Sequence, residues 1–190
     1  MTESLQPSQP PTARFMAGLM IGVGLIAVGI MFFMLLREQA DSTQDFSAVP
    51  VKVDYAAPDL DLVDLSGKDV SLDDYLGSVV LVNLWATWCP PCREEMPTLQ
   101  TFYEKYKDDG FVLLAIDQEE TREVVEPFIN EFGLTFPVWL DIDYLAQREF
   151  KTMNLPSTYV IDREGRVRLM WIGGISKRNL EKYVPDLIKE

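Results

Sequence analysis

Val79-Val-Leu-Val-Asn-Leu-Trp85-Ala-Thr-Trp-Cys89-Pro-Pro-Cys92 leads from a short apolar stretch into a loop that holds the chain's only two cysteines. The first seven residues are apolar and rich in β-branched side chains, so they read as a buried strand. After the loop, apolar side chains recur at 92, 96, 99, 103 and 106, the stripe of an amphipathic helix. Cys89 therefore falls at a helix N-terminus, where unpaired N–H groups and the positive end of the dipole stabilise a thiolate. Cys92 lies one turn further on, within reach of the first sulfur for a disulfide. A C-x-x-C pair between a strand and a helix is the arrangement of thiol–disulfide chemistry.

Other uses of two cysteines fit less well. A structural zinc site needs four ligands, and the chain has two Cys and no His. A c-type haem site needs C-x-x-C-H, and Arg93 occupies the histidine position. A purely structural disulfide across so short a loop constrains the unfolded chain little.

Outward from this loop, residues 15–36 form an uncharged apolar run bracketed by Arg14 and Arg37. As a helix it would span roughly 33 Å, enough for a bilayer core of about 30 Å. The run is longer than a signal-peptide core, and the exit Arg37-Glu-Gln-Ala40 is a poor cleavage site. An uncleaved single-pass anchor is expected at 15–36, with a cytoplasmic tail at 1–14. Arg14 and the free amine face only Glu3 on the short side, whereas Glu38, Asp41 and Asp45 follow Arg37. This bias puts the folded part outside the cytoplasm.

From Glu38 onward the chain carries 15 of its 17 basic and 29 of its 30 acidic residues. Such a domain repels nucleic acid and anionic headgroups, so neither is an expected partner. The absence of histidine leaves proton transfer to a carboxylate, a thiol or water.

Residues 37–58 are polar and small, with Pro50 and Pro58, and read as a flexible tether. The domain itself is expected at 59–190. A hairpin opens it, with Asp59–Leu65 and Val70–Leu72 around Ser66-Gly67-Lys68. The strand at 79–85 and a helix to about Lys107 follow, stopped by Asp109-Gly110. Phe111–Asp117 is a second buried strand. Thr121 caps a helix to about Phe132 with Gly133 as its stop. Phe136–Leu140 is extended and Ile142–Phe150 helical. Thr158–Asp162 and Val167–Ile172 form a hairpin, and Ser176 caps a last helix to about Ile188. These elements give an α/β fold, a mixed central sheet flanked by helices.

The W-C-P-P-C loop, Pro97 inside the first helix, and Leu155-Pro-Ser-Thr-Tyr-Val-Ile-Asp162 together resemble the thioredoxin superfamily. With the N-terminal anchor, the opening hairpin and the inserted helix near 121–132, the chain is similar to the membrane-tethered ResA/TlpA branch. That resemblance implies a thioredoxin-like fold and an extracytoplasmic thiol–disulfide oxidoreductase with no cofactor beyond its own redox disulfide. The implied task is reduction of cysteines in exported proteins, such as apocytochrome c before haem attachment, with electrons from a membrane thiol transporter. Cys89 matches the family's exposed attacking cysteine and Cys92 its buried resolving partner. Pro156 matches the cis-proline that faces the pair and offers backbone to a client strand, and Leu155 before it resembles the reductive branch.

Glu95, three residues after Cys92, shares its helical face. It matches an acidic residue that ResA-like proteins keep near their cysteines, and a raised pKa would let it trade a proton with Cys92. The alternative is a solvated helix glutamate like Glu94. Pro90 and Pro91 remove two N–H donors and stiffen the loop, or simply start the helix. Trp88 is expected to line a client groove, while Trp85 is a candidate for the core. In one respect the chain departs from ordinary thioredoxins, which carry a buried Asp where this chain has Asn83. Asparagine cannot take a proton.

Competing functions differ in testable features. A peroxidase of related fold would place a Thr three residues before its attacking Cys, and Thr87 is two before Cys89. A copper carrier would want a histidine and wider cysteine spacing, and a non-catalytic adaptor would not need both cysteines. An oxidase or isomerase of exported proteins uses the same residues in the other direction.

Overall fold

The structure, a computed structural model, describes residues 24–26, 28–32 and 49–190. The tail at 1–14 and most of the anchor at 15–36 lie outside the described residues. Residues 24–26 and 28–32 are helical and exposed. Among the described residues no helix is long and apolar enough to cross a membrane. The compact unit that holds the redox loop spans Phe46–Glu190.

Eight strands form one sheet. They are β1 (Val51–Ala56), β2 (Asp61–Asp64), β3 (Asp69–Ser71), β4 (Val79–Trp85), β5 (Phe111–Gln118), β6 (Val138–Asp141), β7 (Ser157–Ile161) and β8 (Arg166–Ile172). Their spatial order is β1-β8-β7-β4-β5-β6-β2-β3. β5 pairs in parallel with β4 and β6, and the remaining pairs are antiparallel. The helices are α1 (Pro90–Tyr106), α2 (Arg122–Phe132), α3 (Leu145–Glu149), α4 (Lys177–Tyr183) and α5 (Pro185–Lys189).

β4 is buried along its whole length because both sheet faces are covered. Its side chains alternate between two cores. Val79, Leu81 and Trp85 join Met96, Leu99 and Phe102 of α1 in one cluster. Val80, Val82 and Leu84 join Leu114, Trp139 and Tyr159 in the other. Each such apolar side chain contributes roughly 1.5–3 kcal/mol as an upper estimate. The same alternation puts Asn83 and Asp117 on the α1 face, two polar groups inside an otherwise apolar layer.

Three boundaries differ from the sequence reading. Residues 51–56, read as the end of a tether, are β1, paired antiparallel with β8 through Val51–Met170 and Ala56–Arg166. The strand is mostly exposed, so its Val-Lys-Val-Asp-Tyr alternation buries little and gives a weak signal between two prolines. The helix expected from Ile142 starts at Leu145, because both Asp141 carboxylate oxygens accept from backbone, Oδ1 from Leu145 N–H and Oδ2 from Ala146 N–H. The C-terminal helix, capped as expected by Ser176 accepting from Asn179 N–H, breaks at Val184 and resumes with Pro185.

Candidate active site

β4 ends at Trp85 and α1 begins at Pro90, so the intervening loop carries Cys89 to the helix N-cap. Its Sγ accepts from Cys92 N–H at 3.3 Å, the interaction that a thiolate in this position would strengthen. Pro90 and Pro91 occupy the first two helical positions, where the missing N–H groups would have had no intrahelical partner, and both are exposed. Cys89 and Cys92 are joined as a disulfide with Cα atoms 5.3 Å apart. Cys92 is fully buried, as expected. Cys89 is not exposed in this oxidised form: only 3% of its surface is accessible, because its sulfur is turned inward to bond with Cys92.

Trp88, immediately before Cys89, is 62% exposed and stands beside the pair as an apolar surface. Trp85 belongs to the core, with its ring 4.9 Å from that of Phe128. The Leu155–Pro156 peptide bond is cis. Leu84 pairs with Ser157 across β4 and β7, which sets Pro156 level with Trp85, at the end of the sheet where the redox loop leaves it. Pro156 is buried, Leu155 is half-buried, and the Pro156 carbonyl accepts from Gly173 N–H at 2.8 Å.

The phase of α1 separates the two adjacent glutamates. Glu94 is exposed, whereas Glu95 points inward and is buried. Asn83 Nδ2 donates to Glu95 Oε1 at 2.8 Å and to Thr158 Oγ1 at 3.0 Å. Glu95 Oε2 accepts from Ile175 N–H at 2.8 Å. Burial pushes the Glu95 carboxyl up to about 8, against the opposing pull of the Ile175 and Asn83 hydrogen bonds. The β8–α4 connection runs beside the site: a Cβ at Gly174 would sit in ordinary van der Waals contact with Glu95 Oε2 at 3.9 Å and Pro91 Cβ at 4.0 Å. Asn83, known from the sequence only as a missing acid, thus becomes the donor that holds a different acid in place.

Other groups on the loop were not legible as site residues. Arg93 donates to the Thr87 carbonyl at 3.2 Å while its guanidinium lies over the rings of Phe128 and Phe132, 4.9 and 5.2 Å from their centroids. Thr87 N–H and Oγ1–H donate to the two carboxyl oxygens of Glu120 at 2.5 and 2.6 Å. Arg93 had appeared only as the residue that rules out haem attachment. Glu120 lies 33 positions from Thr87, and nothing local to either residue announces the contact.

A family model described as AhpC/TSA family matches residues 53–170. The thiol-disulfide oxidoreductase ResA of Bacillus anthracis is 38% identical over 131 residues, covering 69% of this chain and 76% of that protein. ResA of Geobacillus kaustophilus is 37% identical over 137 residues, covering 72% and 79%. Among solved structures, a thiol:disulfide interchange protein of the thioredoxin family from Chlorobium tepidum superposes with a TM-score of 0.65 at 27% identity, over 73% of this chain and 99% of that one.

Proposed function

This chain belongs to the AhpC/TSA family, among its ResA-like thiol–disulfide oxidoreductases, and on that footing we propose that it reduces disulfides of exported proteins from the outer face of the cytoplasmic membrane. Its ResA relatives are named thiol-disulfide oxidoreductases, and Cys89 and Cys92, with C-x-x-C spacing on a thioredoxin-like fold, fit that exchange. The direction, the clients and the tether are the proposal. Apocytochrome c cysteines before haem attachment are the client class the ResA likeness favours, and a membrane thiol transporter is the electron source. The apolar run at 15–36 supplies the anchor, and Trp88, Leu155 and Pro156 supply the client surface.

In the reducing direction the Cys89 thiolate attacks one sulfur of the client disulfide. A mixed disulfide forms and the other client sulfur leaves as a thiolate. Cys92 then gives up its proton and attacks Cys89 Sγ, releasing the second client thiol and closing Cys89–Cys92. Two electrons pass to the client. The observation that carries the exchange chemistry is Glu95: a buried carboxyl on the Cys92 face of α1, with its pKa raised into the thiol range, is a fitting acceptor for the Cys92 proton. Thr87 is engaged with Glu120 through its hydroxyl, which supports disulfide exchange over a peroxidase role for that threonine.

The deciding experiment is the reduction potential of the Cys89–Cys92 couple, measured by equilibration with a reference dithiol. A value near that of thioredoxin, about −270 mV, is expected; a value near −120 mV would make the protein an oxidant of exported clients instead.

A further inference from the structure

Thr158 is the second residue of β7 and is fully buried. It is the cross-strand partner of Asn83 on β4 and of Trp171 on β8. Val160, two residues on, belongs to the core under α1, and Tyr159 and Ile161 to the opposite core, so alternation puts Thr158 on the α1 face beside Asn83. Opposed side chains in an antiparallel pair stand about 4.5–5.5 Å apart at Cβ, a gap that a short amide and a hydroxyl can close. They do close it: Asn83 Nδ2 donates to Thr158 Oγ1 at 3.0 Å as well as to Glu95 Oε1 at 2.8 Å, which uses both hydrogens of that nitrogen.

The torsion that turns an asparagine amide about Cβ–Cγ is broad, so a single bond to Glu95 would leave the amide plane free to swing. Oδ1 is buried with no partner, so among the described residues Thr158 is the other anchor of that plane. Threonine is β-branched and keeps few χ1 positions, which gives its hydroxyl a fixed direction. We propose that Thr158 is a positioning residue for the proton transfer from Cys92: its hydroxyl fixes the plane of the Asn83 amide, and the amide fixes Glu95. This rests on the reading of Glu95 as acceptor of the Cys92 proton. β7 then serves both halves of the exchange, since it follows cis-Pro156 on the client surface and two residues later anchors the proton acceptor. Glu95 Oε2 is held independently by Ile175 N–H, so Oε1 is the oxygen that Thr158 governs. Among the described residues the other acid buried on this face is Asp117 of β5, two residues past Ala115, the partner of Asn83. Burial pushes Asp117 up to about 9, and its Oδ1 accepts from Glu120 N–H at 3.2 Å. The titration of Glu95 is therefore to be read at its own carboxyl carbon.

The experiment follows that carbon against pH in the oxidised full-length protein, in which neither sulfur titrates. Thr158→Val keeps the shape of the side chain and removes the acceptor. A loosened amide stabilises ionised Glu95 less, so the Glu95 midpoint is expected to rise by about one pH unit, the equivalent of one hydrogen bond. Thr158→Ser, which keeps the hydroxyl, is expected to stay within about 0.3 unit of the unmutated protein. In the reduced protein the pH profile for release of the mixed disulfide should move up with the midpoint, while the first attack by Cys89 stays within about twofold. A Glu95 midpoint that Thr158→Val leaves in place overturns the proposal, and so does one that Thr158→Ser moves as far as Thr158→Val. If Glu95→Gln slows release and Thr158→Val does not, the proposal alone falls; if Glu95→Gln leaves release unchanged, the reading beneath it falls as well. In the unmutated protein the Asn83 side-chain amide and the Thr158 Cβ resonances are expected to move in the Glu95 transition. A Thr158 resonance that ignores that transition overturns the proposal even if Thr158→Val fails to fold.

Discussion

Asn83 Nδ2 donates to Glu95 Oε1 at 2.8 Å, and the other atom of the same amide, Oδ1, is buried without a partner. A planar amide carries a donor and an acceptor on one carbon. As it stands, Asn83 is the donor and Glu95 the acceptor. Turned over, it would offer Oδ1 to a proton on the same carboxyl oxygen. Aspartate at this position could not do both at neutral pH, and it would place a second acid beside Glu95. Under the proposed mechanism, asparagine on β4 leaves the proton-accepting role to Glu95 of α1, and as a neutral group it suits either protonation state of that carboxyl.

Glu95→Gln is expected to slow resolution of the mixed disulfide about a hundredfold, the lower end of what a positioned general base contributes. The first attack by Cys89 should change little. Rapid-mixing kinetics that separate formation of the mixed disulfide from its release check this. Equal slowing of both steps would reduce Glu95 to a packing role.

The same carboxyl makes stability pH-dependent in a definite direction. The folded state keeps a proton on Glu95 up to about 8, whereas the unfolded chain releases it near the ordinary glutamate value of 4.5. Between these limits the native state binds more protons, so stability is greatest below the lower limit and falls as pH rises toward the upper one. One such group contributes a slope of roughly 1.4 kcal/mol per pH unit. Asp117 acts in the same sense and remains in the variant. Urea unfolding of oxidised wild type and Glu95→Gln across this window should therefore differ in slope by one proton.

Trp88→Ala tests the client surface. The side chain is 62% exposed, so global stability should move by less than about 0.5 kcal/mol. Exchange with a protein disulfide should slow about tenfold, while exchange with oxidised glutathione should stay within about twofold. Equal loss with both partners would place the effect on the sulfur chemistry rather than on recognition.

Much of this site could be read from the chain before any coordinates. The apolar run at 79–85 has one register in which it can be buried, and the stripe at 92, 96 and 99 fixes the face of α1, so the cysteine pair had a place in the fold. What stayed open was whether Glu95 is buried at the site or solvated like Glu94, and α1 settles it by turning Glu95 onto Asn83. The Thr87–Glu120–Asp117 contacts were invisible for a different reason. They depend on one left-handed residue, Glu119, bending the chain after β5, and a non-glycine in that conformation leaves no compositional trace. The exposure expected of Cys89 came from the family resemblance, and in the oxidised form closing the disulfide takes the sulfur inside.

Cys92→Ser is expected to accumulate a covalent complex between Cys89 and a client, visible as a reducible band, because the resolving sulfur is gone. Cys89→Ser should accumulate none, as Cys92 is fully buried. A complex trapped only by Cys89→Ser would reverse the two roles.

The position of β1 gives a last prediction, about where the domain begins. β8 is hydrogen-bonded to β7 on one side and β1 on the other. Ala57 N–H donates to the Gly165 carbonyl, and Asp54 accepts from Arg166 Nε at 2.5 Å beside Arg168. β1 itself buries little apolar surface, so its contribution comes from backbone pairing and from covering an edge. A chain starting at residue 59 should unfold about 1–3 kcal/mol more easily in urea than one starting at residue 49, and it should self-associate through the uncovered β8. Equal midpoints and equal sedimentation for the two chains would return residues 49–58 to the tether.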